Sequence, residues 1–305
     1  MLYARMPAFA LGILTALPAM VVCNADAFAG PAIGQFEIKS LKAEPGRVEL
    51  QSQNAFSFGN PRRRTTDVGG EIEADDNSIA SVRAALEIEY TFSRFFKGRI
   101  GIEYEKERLD DFSSLSEANS FDRLRLDEYE VEGIIVFVPR PKQGFGLGLL
   151  VEYEHSAEAD GARTLNYGPI IEWVSGPWLA TFNPSLISFF GGERNEHGKH
   201  DEKIDFRYAV GLMYRAADDL SLAIEAYGTI ERIGGTGSPG EEALLFGDFN
   251  QHRIGPVVYW SHELNGGFAR GKDGETELTI GLGMLAGLNR STPDATLKLS
   301  VELEF

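Results

Sequence analysis

The chain has a single cysteine, Cys23, with three tryptophans and five histidines in 305 residues. One cysteine permits no internal disulfide, and Cys23 lies in a segment expected to be removed, so thiol chemistry and Cys metal sites are excluded from the remainder. After residue 29 no stretch approaches the roughly 20 consecutive apolar residues that a membrane helix needs. Basic residues are scarce: 29 Lys and Arg stand against 46 Asp and Glu, for a formal net charge of -17. That balance argues against nucleic acid as a partner, because phosphate neutralisation needs Lys/Arg surfaces. Helical periodicity, sequence repeats and low-complexity runs are also lacking. No cofactor motif is present; Gly281-Leu282-Gly283 has no following helix and is not a phosphate loop.

The N-terminus reads as a secretory signal over residues 1–29. Arg5 supplies the positive region, Ala8–Val22 the apolar region, and Ala27-Phe28-Ala29 a small-x-small cleavage site before Gly30. A lipoprotein reading would use Cys23, but Val21-Val22 lacks the small residue expected before a lipidated cysteine. Residues 30–46 are expected to be an N-terminal periplasmic lead-in, closed by the Pro45-Gly46 turn.

From residue 47 to 305 apolar and polar residues alternate in one segment after another. A strand points successive side chains to opposite faces, so each segment has one apolar and one polar face. Ser81–Phe92 is the clearest: Val82, Ala84, Leu86, Ile88, Tyr90 and Phe92 share one face, and Arg83, Glu87 and Glu89 the other. Phe96–Tyr104 follows after a tight turn and completes a hairpin. The remaining strands are expected at Val48–Gly59, Glu128–Val138, Phe145–Tyr153, Leu165–Trp173, Trp178–Phe190, Ile204–Tyr214, Leu220–Ile230, His252–Trp260, Leu278–Leu288 and Leu297–Phe305. Pro169, Pro184 and Pro256 fall inside three of them and are expected to weaken the ladder or mark bulges.

The connections alternate between short (Ser93–Phe95, Pro139–Gln143, Ser175–Pro177, Arg215–Asp219) and long and polar (Asn60–Ala80, Glu107–Asp127, Glu154–Thr164, Gly191–Glu202, Glu231–Gln251). Two break the rule: Ser261–Gly274 is long on the short side, and Asn289–Asp294 short on the long side. Trp173, Trp178 and Trp260, with Tyr214 and Phe305, gather at the short-turn end, as an aromatic membrane girdle does.

The last ten residues carry Leu297, Leu299, Val301, Leu303 and Phe305 in alternation and end on that phenylalanine. This ending resembles the final strand of bacterial outer-membrane β-barrels. The resemblance implies an all-β, closed, antiparallel up-and-down barrel of about twelve strands, with ten to fourteen tolerated, in the outer membrane of a Gram-negative bacterium. It also implies contact with outer-membrane lipid and lipopolysaccharide and assembly machinery that reads Phe305. The competing soluble sandwich would turn its apolar face inward. The layout, including the Glu89–Tyr104 hairpin, is similar to transporter-type barrels of the phenol-degradation group, which implies passage of small solutes without naming one.

The polar faces then line the interior, with Arg83, Glu87, Glu89, Lys97, Arg99, Glu103, Glu105, Glu130, Glu152, Asp205, Arg207, Glu225 and Arg253 as candidate selectivity residues. Rings of carboxylates disfavour anions; alternatively, cross-strand Glu–Lys/Arg pairs brace a filled barrel. A structural or adhesive barrel acting through acidic outer loops is a further reading. His197 and His200, beside Glu193, Glu196 and Asp201, are a weak metal candidate with no helix to align them. Catalysis is not expected: His155-Ser156 and Ser261-His262 are the adjacent candidates for a lipid-modifying pair, and neither has an orienting partner.

Overall fold

The computed structural model describes residues 36–59, 64–68, 71–75, 81–107, 124–157, 162–191, 202–237, 250–264 and 276–305. The signal sequence with Cys23, and His197 and His200, lie outside the described residues.

Among the described residues fourteen strands follow one another: β1 Val48–Phe58, β2 Arg64–Val68, β3 Glu71–Asp75, β4 Ser81–Ser93, β5 Phe96–Glu107, β6 Arg125–Val138, β7 Gly144–Ser156, β8 Ala162–Ser175, β9 Trp178–Gly191, β10 Ile204–Arg215, β11 Leu220–Ile230, β12 Gln251–Glu263, β13 Glu277–Gly287 and β14 Ala295–Glu304. Strand β1 and strands β4 to β14 form one closed antiparallel barrel of twelve strands; β2 and β3 make a separate two-stranded ribbon. That ribbon corrects the expectation of a plain loop over residues 60–80. Its strands are short, and Gly69-Gly70 is the two-residue spacing that a tight hairpin uses.

Closure is made by β1 against β14, from Glu49 opposite Glu304 to Phe58 opposite Ala295. Beyond them Val48 and Phe305 exchange both backbone bonds, each 2.9 Å long. The alternation in β1 is weak because Ser52 and Asn54 stand on its outer face; there the Asn54 amide donates to the Ser52 hydroxyl at 3.1 Å. Elsewhere the faces separate cleanly. In β4, Ile88 and Phe92 are 49% and 61% exposed while Glu87 and Glu89, on either side of Ile88, are each 4% exposed. A water-soluble core has the opposite polarity, so the apolar shell is the outside.

The three prolines stand inside strands, and none marks a bulge. The pairing of β8 with β9 stops between Tyr167–Leu186 and Ile171–Phe182, at Pro169 and Pro184, and resumes in the same register. That of β12 with β13 stops between Ile254–Ala286 and Val257–Gly283, at Pro256, also without a slip. Each proline keeps its place opposite its other neighbour, so the missing N–H faces the broken side. The register shifts lie instead at Thr91/Ser93, Glu103/Tyr104 and Val136/Val138.

Short turns join β4–β5, β6–β7, β8–β9 and β10–β11 at one end of the barrel. Trp173, Trp178, Tyr214 and Trp260 stand exposed at that end. Tyr214 is opposite Trp178, their rings 4.8 Å apart, and Trp260 stacks on His262 at 5.4 Å. Leu86→Arg, on the outer face of β4, is expected to destabilise the barrel by about 2–4 kcal/mol in urea unfolding from lipid vesicles. Ala85→Ser, one residue away on the inner face, is expected to stay well below that.

Candidate functional site

The inner face is crowded with charge because every second residue of the strands turns inward and those positions are mostly polar. Glu87, Glu89, Lys97, Arg99, Glu103, Glu105, Glu130, Glu152, Asp205, Glu225 and Arg253 are all buried there, with Arg83 and Arg207 half-buried. Glu132, Glu154, Glu172, Asn166, Asn183, Ser185 and Lys298 join them.

Some of these groups form braces. Arg83 donates to Glu105 at 2.9 Å and Lys97 to Glu89 at 2.8 Å across the β4–β5 hairpin. Lys298 donates to Glu225 at 2.7 Å and to the Tyr227 and Tyr259 hydroxyls at 3.0 and 3.1 Å. Lys203 bridges Asp205 and Glu231, each at 3.1 Å. Arg207 on β10 reaches past two strands to Glu152 on β7 at 3.2 Å.

The rest of the interior is occupied by the chain's own N-terminal segment. Residues 36–46, expected from the sequence to be a lead-in, are packed inside the barrel with their end at the short-turn rim, where Gly46 donates to the Thr91 carbonyl at 2.8 Å. Phe36 meets the Tyr227 ring edge-on at 5.3 Å, and the Arg253 guanidinium lies 4.5 Å over its face. Ala55, Ala209, Ala223, Val257 and Leu285 complete its pocket. Leu41 is 1% exposed in a second pocket of Ile134, Val136, Leu150 and Ile170. Glycine makes room for the segment at two points: a Cβ on Gly148 would stand 2.5 Å from Leu41 Cδ2, and one on Gly211 2.5 Å from Ile38 Cδ1.

Polar contacts fix the same segment. Glu37 accepts from Arg99 Nη1 at 2.7 Å, and Arg99 also reaches Glu87 at 3.0 Å and Glu89 at 3.3 Å. The Lys39 ammonium lies 2.6 Å from Glu37, 2.5 Å from Glu132 and 3.8 Å from Glu152. The Leu41 N–H donates to Glu172 at 3.0 Å, Arg140 holds Ser40 Oγ at 2.7 Å, and Lys42 pairs with Glu304 at 2.6 Å. Burial alone would raise the Glu37 carboxyl, but Arg99 and Lys39 hold it well below the usual carboxylate range. Burial and Arg99 push the Lys39 ammonium down, but Glu132, Glu37 and Glu152 carry it well above its usual value.

Beside this segment remains a cavity of about 50 Å³, lined among others by Glu37, Lys39, Glu130, Glu154, Asn183 and Arg207. That is room for a few waters. The pockets that hold Phe36 and Leu41 are not apparent from the sequence. The Leu41 pocket alone leaves a signal there, in runs that are apolar on both faces: Ile134–Val138, Leu149–Val151 and Ile170-Ile171.

The serine–histidine candidates do not assemble a nucleophile and base. Neighbours on a strand point to opposite faces. Ser261 shares its hydrogen bond with Thr279 at 2.8 Å, and His262 stacks on Trp260.

A closed antiparallel barrel, apolar outside and charged within, has the fold of the bacterial outer-membrane barrels. A solved structure shares it. An outer-membrane channel from Pseudomonas putida F1 superposes with a TM-score of 0.53 at 10% identity, over 91% of this chain and 99% of that one. The NanC porin gives 0.48 at 6% identity, over 85% and 98% of the two chains. The translocator domain of the autotransporter NalP from Neisseria meningitidis gives 0.48 at 10%, over 87% and 90%. No family model and no curated protein matches the sequence.

The docked segment has a defined pH window. The depressed Glu37 carboxyl contributes stability that is full above its unfolded value near about 4.3 and fades as pH falls toward its lower folded value. The raised Lys39 ammonium contributes stability that is full below about 10.4 and fades as pH rises through its higher folded value. Through these two groups, release of the segment is therefore expected only below about pH 4 or above about pH 10, as read by protease access to residues 36–46 in the folded barrel.

Proposed function

We propose that this chain is an outer-membrane channel for small solutes whose lumen is narrowed by its own N-terminal segment. The short-turn end, with its tryptophans, faces the periplasm. The reading rests on one observation above all: a lipid-type exterior encloses a water-type interior whose cross-section residues 36–46 occupy. A barrel that only had to be stable would fill its centre from its own wall. Here two separate apolar pockets, with glycines opposite Leu41 and Ile38, receive a strand-free segment held by side chains at one rim.

The buried carboxylates Glu87, Glu89, Glu103, Glu105, Glu130, Glu132, Glu152, Glu154, Glu172, Asp205, Glu225 and Glu304 outnumber the buried cations Lys39, Lys97, Arg99, Arg253 and Lys298. That excess supports a preference for cations over anions. The chain's likeness to a channel structure and the transporter-type layout of the Glu89–Tyr104 hairpin support passage as the role and assign no particular solute.

The small size of the remaining cavity favours a second reading, in which the interior only braces the wall. Single-channel recording separates the two. Phe36→Ala with Leu41→Ala removes both apolar anchors, each worth about 2–5 kcal/mol of local docking. The double variant is expected to raise unitary conductance several-fold and to keep cation preference. Gly211→Val, which displaces Ile38, is expected to act in the same direction. A wild-type chain and a double variant that are both silent would establish the bracing role.

A further inference from the structure

The inner wall formed by β5, β6 and β7 places carboxylates opposite carboxylates. Glu103 stands opposite Glu128, Glu130 opposite Glu154, and Glu132 opposite Glu152. Like charges directly across a ladder destabilise it. The Glu132–Glu152 pair has a remedy: Lys39 of the N-terminal segment sits between them, 2.5 and 3.8 Å away. One rung toward the long-loop end, Glu130 and Glu154 have no cation in contact, although Glu154 accepts from the Thr164 hydroxyl and Arg207 lines the same cavity. Among the described residues neither lies in an ion pair with Lys or Arg.

Glu103 turns toward the same point. One carboxylate oxygen each from Glu103, Glu130 and Glu154 lies within 4.8 Å of the other two, and all three side chains are buried. Oxygens that share one calcium ion at 2.3–2.6 Å stand at most about 5 Å apart. The Glu130 side chain lies in the space that Gly101 leaves open, where a Cβ would overlap its Oε1, and that oxygen has no hydrogen-bond partner.

A second observation is independent of the acids. Asn183 and Ser185 on β9 line the same cavity and are 7% and 4% exposed. The Asn183 amide nitrogen and oxygen and the Ser185 hydroxyl have no partner. Buried polar groups are nearly always satisfied, so unpaired ones facing a cavity mark something that fills it. Amide oxygens and waters are the usual complement to carboxylates around a hard cation, and the cavity has space for them.

We infer that Glu103, Glu130 and Glu154 hold a divalent cation of the calcium type inside the barrel, with Asn183 and Ser185 completing its surroundings directly or through water. The ion does for Glu130 and Glu154 what Lys39 does for Glu132 and Glu152.

The test is calorimetric titration of the refolded barrel, residues 30–305 in detergent stripped of divalent ions, with calcium chloride. One saturable site is expected, and chelator should lower the unfolding temperature of the wild type. Glu130→Gln with Glu154→Gln removes the repulsion along with the ligands, so it folds. It should bind calcium at least tenfold more weakly and show no chelator effect. Glu302→Gln, in the separate acid cluster of Glu49, Glu302 and Glu304, should change binding less than twofold. Absence of binding by the wild type up to about 10 mM, beyond the weakest extracellular sites, overturns the inference. So does binding that survives in the double variant or disappears in Glu302→Gln.

Discussion

Backbone hydrogen bonds have no water to fall back on in hydrocarbon, and a sheet can meet that demand only by closing on itself. The junction of β1 with β14 is where this chain does so, and it ends with the two reciprocal bonds between Val48 and Phe305. Everything else follows from that ring. With no free edge, each strand has one face outward and one inward, and the period of two sorts the side chains between lipid and lumen. The outside takes Ile88, Phe92, Val131 and Leu282, and the inside takes the charges.

An interior built mostly of glutamate is not stable by itself. Its stability depends on cations brought to it, and the chain brings several. Arg99 gathers Glu37, Glu87 and Glu89 around one guanidinium; Lys298 joins Glu225 and two tyrosines. Lys39 arrives from outside the sheet altogether. The N-terminal segment therefore serves the wall as a counter-charge and the lumen as an obstruction, and the two roles share the same contacts. Loosening the segment exposes the Glu132–Glu152 repulsion, which gives the barrel a reason to keep it docked.

Most of the barrel is legible in the amino-acid sequence. The period-two pattern locates all twelve barrel strands to within a few residues, because alternation is the direct consequence of a wall between two solvents. Proline is the least informative marker, since Pro169, Pro184 and Pro256 interrupt ladders without shifting register, and the true bulges fall at residues with no such signature. The residues that face inward are also readable, because facing is a local property of a strand. What they touch is not. Residues 36–46 have no regular structure and no sustained periodicity, and their place inside the barrel is set by pockets assembled from β1, β6 to β8 and β10 to β13. Such pairings, Leu41 with Ile134 or Lys39 with Glu132, are decided by closure and leave only a faint trace in the sequence, as apolar residues on the wrong face.

The whole arrangement requires that the apolar face meet lipid and the charged face not. Trp173, Trp178 and Trp260 report on it directly, since all three stand exposed at one rim. Quenching of their fluorescence in vesicles of brominated lipid measures their depth. Strong quenching by bromines near the headgroup and weak quenching by bromines at the chain ends are expected. Absence of quenching at every depth, with the chain folded in water without detergent, would contradict it.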